Sequence, residues 1–376
     1  MLNNLISSFK EYTTLLILVS NWLSNIYKFC RLFIFAYLKY WGVNFFFNIL
    51  KNVGNMRKVL HTLPLLFFAF FATAQSVLDL VKEAGVQNEK SNYFKAIELY
   101  NQVIAAEPNN GKWYFYRGQD YSLTNDYKKA EADYSKAIEL TPQYFDAYLS
   151  RAILHYTLNE PEKSINDYNQ AMRYRKDDNL LVFLLNNRGN AKTFRKDFEN
   201  AYKDFMRAYN IDNQSITALD NLGKTLNQLN RGDEALYFFK KMLALDTSSV
   251  SAHSDIAYTL LNLKRFQESI EQYNIVLISN PNSPLALSNR GLAKMNMLDY
   301  DGALDDVNRS ITLYPQNSYS YRNRGMIYIA MNKNTEGCTD FQQALKLNFT
   351  SKYDNEVEEF YNHYCTTKKN WFLFHS

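Results

Sequence analysis

From Val77 to Ser351 the chain repeats itself every 34 residues, and this period limits the possible fold more than any other feature of the sequence. Aligned on recurring glycines, the stretch divides into blocks 77–110, 111–144, 145–181, 182–215, 216–249, 250–283, 284–317 and 318–351, the third carrying three extra residues. The eighth place is always small: Ala84, Gly118, Ala152, Gly189, Gly223, Ala257, Gly291 and Gly325. So is the twentieth, with Ala96, Ala130, Ser164, Ala201, Ala235, Ser269, Ala303 and Gly337. Four residues further on stand Tyr100, Tyr134, Tyr168, Phe205, Phe239, Tyr273, Val307 and Phe341. A glycine inside a helix costs about 1 kcal/mol against alanine, so its recurrence needs a packing reason. Two small columns beside a bulky one supply it: two helices in close contact within each block. Pro108, Pro142, Pro281 and Pro315 mark where second helices stop. Asp126, Asn159, Asp197, Asp233 and Asn334 stand before the second apolar runs and are expected to cap them.

Arginine is not a packing residue, yet Arg117, Arg151, Arg188, Arg290 and Arg324 precede the small residue of the eighth place. Sixteen residues later the same blocks carry Asp133, Asp167, Asp204, Asp306 and Asp340. The other blocks lack both members, with Glu83 and Leu99, Leu222 and Phe238, and Ile256 and Gln272 in the two places. This joint appearance predicts a helix-to-helix ion pair in each of five blocks, the guanidinium fork matching a carboxylate. A shared duplication history would give the same match without contact.

With the 34-residue period, the small-small-aromatic columns and endings such as KAIELTP (136–142), residues 77–351 resemble the tetratricopeptide repeat family. The resemblance implies an all-α chain, a right-handed α-solenoid of eight helix-turn-helix repeats over 75–351, closed by a capping helix and tail in 352–376. It also implies a scaffold that binds a protein or peptide partner in a concave groove lined by first helices. Carried onto this chain, the groove is polar at Asn186, Asn190, Asp220, Lys224 and Asn227. Towards the C-terminus it turns apolar at Tyr258, Leu261, Leu292, Met295, Tyr319, Met326 and Ile329, interrupted by Arg322. For Leu292, Met295 and Met326 packing between neighbouring first helices is the competing reading. The family's clamp for a terminal carboxylate is approximated only by Asn186, Asn190 and Lys224, so that ligand is not implied.

Before the repeats, MRKVLHTLPLLFFAFFATAQ (56–75) has a basic start, an apolar run and Ala72-Thr73-Ala74, the pattern of a signal peptide cut after Ala74. A periplasmic or extracellular location follows. Residues 1–55 then read either as an upstream extension from a misassigned start or as a membrane anchor through the apolar run 32–50. A membrane contact is expected only if residues 1–55 are part of the protein. The basic excess sits at this end: residues 75–376 hold 35 basic and 37 acidic side chains, which argues against nucleic acid as a partner. Of three cysteines, Cys30 precedes the leader. Cys338 and Cys365 are either a disulfide, allowed after export, or two free thiols. The resemblance extends to this ending, since GCTDFQQAL followed by a Tyr-rich helix and Cys is similar to the close of many exported repeat proteins. No phosphate loop, GxSxG or HExxH occurs, and His61, His155, His253, His363 and His375 have no metal-ligand spacing in sequence. The expectation is a non-catalytic protein without metal or cofactor, the competing readings being a membrane-anchored assembly factor and an accessory subunit of an enzyme complex.

Overall fold

The computed structural model describes residues 76–366 except 176, 178, 179 and 354. The leader, the stretch 1–55 with Cys30, His61 and the tail with His375 lie outside them. Two compact units divide at Asp79, and the second, Leu80–Ser376, holds the helix pairs described here. Among the described residues every regular element is helical, and no helix is long and apolar enough to cross a membrane.

The first repeat has α1 (76–89) and α2 (Tyr93–Ala106). The second and third have α3 (Gly111–Leu123) and α4 (Tyr127–Leu140), then α5 (Phe145–Thr157) and α6 (Pro161–Tyr174). The fourth and fifth follow as α7 (Leu180–Phe194), α8 (Phe198–Ile211), α9 (Ile216–Gln228) and α10 (Gly232–Leu245). The sixth to eighth comprise α11 (Val250–Asn262), α12 (Phe266–Ser279), α13 (Pro284–Asn296), α14 (Tyr300–Leu313), α15 (Ser318–Ala330) and α16 (Asn334–Lys346). Short α17 (Phe349–Lys352), α18 (Glu356–Tyr361) and a π-helical turn, Asn362–Thr366, complete the described chain. This is an all-α solenoid in which each helix packs on the next.

Inside a repeat the small columns bring backbones together. A Cβ on Gly189 would run into the Phe205 ring, and one on Gly223 into Phe239, each sixteen residues on. In the third and sixth repeats, where the eighth place is alanine and the twentieth serine, the contact is made differently. Ser164 Oγ donates to the Ala152 carbonyl at 2.8 Å and Ser269 Oγ to that of Ala257 at 2.7 Å, so the serines of the twentieth column satisfy buried hydroxyls across the same contact.

The turn between the two helices is built by backbone conformation more than by capping. Ser91, Asn125, Asn159, Lys196, Asn230, Lys264, Leu298 and Asn332 all have φ between 57° and 64°. The next amide reaches back five residues, as Glu160 N to His155 O at 2.8 Å, which closes the preceding helix in the Schellman manner. This corrects the expected caps. Asp126 accepts from the Lys129 amide, but Asn159 is the left-handed residue itself, Asp197 caps no amide, and Asp233 and Asn334 lie inside α10 and α16. Side-chain capping instead opens first helices, at Asn110, Ser215, Ser249, Ser283 and Asn317.

At the far end α18 occupies the place of a ninth first helix. Glu356 stands 34 residues after Arg322 and pairs with it, while Val357 and Phe349 are buried against Phe341 and Tyr319. Cys338 in α16 is bonded to Cys365 with a Cα separation of 5.7 Å, which ties this cover to the last repeat.

Candidate partner-binding face

First helices of successive repeats touch, as α7 does α9 and α13 does α15, whereas successive second helices approach less closely. The first helices therefore lie on the inner side of the stack. Register between repeats is set by the arginines. Each binds the Asp of its own second helix through two hydrogen bonds, as Arg188 Nε to Asp204 Oδ2 at 2.8 Å and Nη2 to Oδ1 at 2.5 Å. Equivalent forks join Arg117 to Asp133, Arg151 to Asp167, Arg290 to Asp306 and Arg324 to Asp340.

The remaining nitrogen, Nη1, reaches the second helix of the preceding repeat. It donates to Asn101 from Arg117, to Ser135 from Arg151, to Asn169 from Arg188, to Asn274 from Arg290 and to Asn308 from Arg324, at 2.6 to 2.8 Å. One side chain thus fastens three helices, a role beyond the expected pair. The sequence carries a signal for it: an Asn or Ser recurs sixteen residues before the arginine, or nineteen across the longer third block. Where Arg and Asp are missing, Leu222, Phe238 and Ile256 join one apolar cluster instead.

The inner face was expected to hold a polar centre and an apolar C-terminal end, and the geometry revises both. Asn186 is buried and accepts from Asn221 at 3.2 Å; Asn227 donates to Thr259 at 2.8 Å. Leu261 is buried, and Arg322 is buried between Tyr319 and Phe360 with Glu356 as its ion partner. Asn186 and Asn227 tie neighbouring repeats together, Arg322 ties the last repeat to the C-terminal cover, and none of the four is free surface. Met295, Met326 and Ile329 likewise pack on the cores of the last two repeats.

What stays accessible is Asn190, half-buried, the exposed ammonium of Lys224, and Tyr258. Lys224 lies 2.7 Å from Asp220 and 4.0 Å from Asp255. Burial pushes the Asp255 carboxyl up to about 6, Asp220 adding to the rise against the pull of Lys224. The apolar part of this face is in the third and fourth repeats, where Ile153, Tyr156 and Phe194 remain 43%, 41% and 49% exposed. Tyr156 and Phe194 meet edge to face at 6.1 Å across the repeat boundary. The sequence places them at the register of Tyr258 and its neighbours, but periodicity alone does not separate an exposed aromatic from a packed one.

Two segments match family models for these units, residues 118–159 as "TPR repeat" and 319–351 as "Tetratricopeptide repeat". These two segments are tetratricopeptide repeats. Curated relatives resemble parts of the chain. Serine/threonine-protein phosphatase 5 of Rattus norvegicus is 28% identical over 106 residues, 28% of this chain and 21% of its own length. The Protein SGT1 homolog of Oryza sativa subsp. japonica is 35% identical over 82 residues, 22% of each chain. The chain thus spans about a fifth of these relatives. Among solved structures, YrrB, "a TPR protein with an unusual peptide-binding site", is 21% identical, with 50% of this chain and 95% of that one covered at a TM-score of 0.41. A tetratricopeptide repeat protein from Parabacteroides merdae is 19% identical over 77% of this chain and 98% of its own, at a TM-score of 0.43.

Proposed function

We propose that the protein is a non-catalytic scaffold that holds an extended segment of a partner protein along the inner face of its first helices. The observation that carries this reading is the half-exposed run of Ile153, Tyr156 and Phe194, followed along the stack by Asn190, Lys224 and Tyr258. Apolar anchors beside amide and charged groups suit an extended peptide, whose side chains fill pockets while polar groups fix its register. The leader pattern at 56–74 before the repeats, and a Cys338–Cys365 bond of the kind that persists in oxidising compartments, support placing this scaffold in the periplasm or outside the cell.

The test replaces Tyr156, Phe194 and Tyr258 together with serine and measures co-purified partner, with circular dichroism to establish that the helices persist. Loss of the partner is expected; undiminished recovery moves the binding site to the second helices or to the C-terminal cover. N-terminal sequencing of the native protein should begin at Gln75, and peptides from residues 1–55 would replace export of a cleaved chain by membrane anchoring.

A further inference from the structure

The tenth residue of a repeat lies on the first helix where two repeats meet. Thr259 shows the contact: its hydroxyl accepts from Asn227, the twelfth residue of the repeat before, at 2.8 Å. Leu154, Ala191, Thr225, Ala293 and Ile327 occupy the same place along the stack, all buried and uncharged. In the second repeat the tenth residue is Asp120, 1% exposed. Its counterpart 32 residues earlier is Asn88 of α1, the separation that also joins Asn227 to Thr259. The Asn88 side-chain amide interacts with the carboxyl, and among the described residues no charged group acts on it. Two acceptors of this junction are buried without a donor, Asp120 Oδ2 and Asn88 Oδ1. From α2 and α4 the titratable groups beside Asp120 are the phenols of Tyr100 and Tyr134, both pushed up to about 12 by burial and so neutral near pH 7. A buried carboxylate with neither a cation nor a full set of donors is costly, whereas the neutral acid brings an O–H donor of its own.

We propose that Asp120 is held as the neutral acid and donates its hydrogen to Asn88, forming a latch between the first and second repeats that a rise in pH opens. The proton supplies the donor that the two unsatisfied oxygens lack. Burial pushes the carboxyl up to about 7 against the smaller pull of Asn88, and in an opened junction it titrates at about 4. The closed junction therefore binds the proton more tightly than the open one. Closure is favoured at pH 4, loses ground as pH rises to 7 and changes no further above that. Each repeat is held by its neighbours, so this junction can open while those further along the stack stay closed. Ala84, Leu99 and Tyr100 pack with Trp113 and Tyr116 across it, and this is the apolar contact that opening exposes. The latch is independent of what the inner face binds.

The experiment is hydrogen exchange of the full chain read by mass spectrometry from pH 5 to 8, each rate divided by the intrinsic rate at that pH. Protection in peptides from 80–106 should fall about tenfold per pH unit between 5 and 7 and level off above, one proton being released on opening. Peptides from α14 and α16 should hold theirs. Asp120→Asn keeps a donor at this place, as Asn221 does towards Asn186 at 3.2 Å, and should give high protection with no slope. Asn88→Ala should lower protection at pH 5 by about tenfold, through the lost acceptor. The wild-type slope is read without any substitution, so the test stands if a variant folds poorly. A flat wild-type profile, or a slope that survives in Asp120→Asn, would overturn the latch; unchanged protection at pH 5 in Asn88→Ala would overturn the bond to Asn88.

Discussion

Replacing Arg188 by Leu and Asp204 by Phe, singly and together, puts at this junction the two residues that the fifth repeat already uses at Leu222 and Phe238. The pair is largely shielded, with 18% and 6% of the side chains exposed, and is bidentate. It therefore exceeds the 0–1 kcal/mol of a surface pair. Breaking a buried pair one-sidedly costs about 3–5 kcal/mol, but Lys192 remains on Asp204 at 2.7 Å and compensates part of that charge. A coupling energy of about 2 kcal/mol is expected, the double variant being far less damaged than the two singles added. At Arg324 and Asp340 the eleventh residue is Tyr328, no lysine assists, and the coupling should be about 1 kcal/mol larger. Urea unfolding followed by circular dichroism measures both cycles, fitted with nearest-neighbour terms because repeat arrays depart from two-state behaviour. Coupling near zero at both junctions would refute the claim that these forks hold the helices in register.

Asp120 is 1% exposed, its Oδ2 has no hydrogen-bond partner, and burial pushes its carboxyl up to about 7. A folded-state value above that of the unfolded chain means stability present at pH 4 and lost as pH rises through 7, by at most about 4 kcal/mol; urea midpoints from pH 5 to 8 should fall for the wild type and fall much less for Asp120→Asn. Gly189→Ala should lower the melting temperature through about 1–3 kcal/mol of overpacking against Phe205, outweighing the roughly 1 kcal/mol gain in helix propensity. Leu298 has φ 64° and is exposed, so Leu298→Gly should stabilise by about 1 kcal/mol, seen as a higher urea midpoint.

Most of the fold is legible in the sequence because the period is long and its columns are chemically distinct. Gly189 with Phe205, and Arg188 with Asp204, are correlations at a fixed separation of sixteen, and a separation that recurs has to be a contact or an inheritance. The expected caps fail for a physical reason. At the mid-repeat turns a left-handed residue closes the helix, and polar residues around it, such as Asn159 and Asp233, look like caps without accepting an amide. The face was harder to read. Asn186, Asn227 and Arg322 have the polarity of binding residues, but each meets a partner about one repeat away, and such pairings depend on the angle between repeats.

The central claim, that first helices carry the working surface, is tested most directly by placing a photo-crosslinking phenylalanine analogue at single sites and mapping adducts in the native cell fraction. Tyr156 and Tyr258 report the inner face; Tyr237 in α10 and Ile278 in α12, both well exposed, report the second helices. Adducts with one partner from Tyr156 and Tyr258, and none from the other two, are predicted. Adducts confined to Tyr237 and Ile278 would contradict the account.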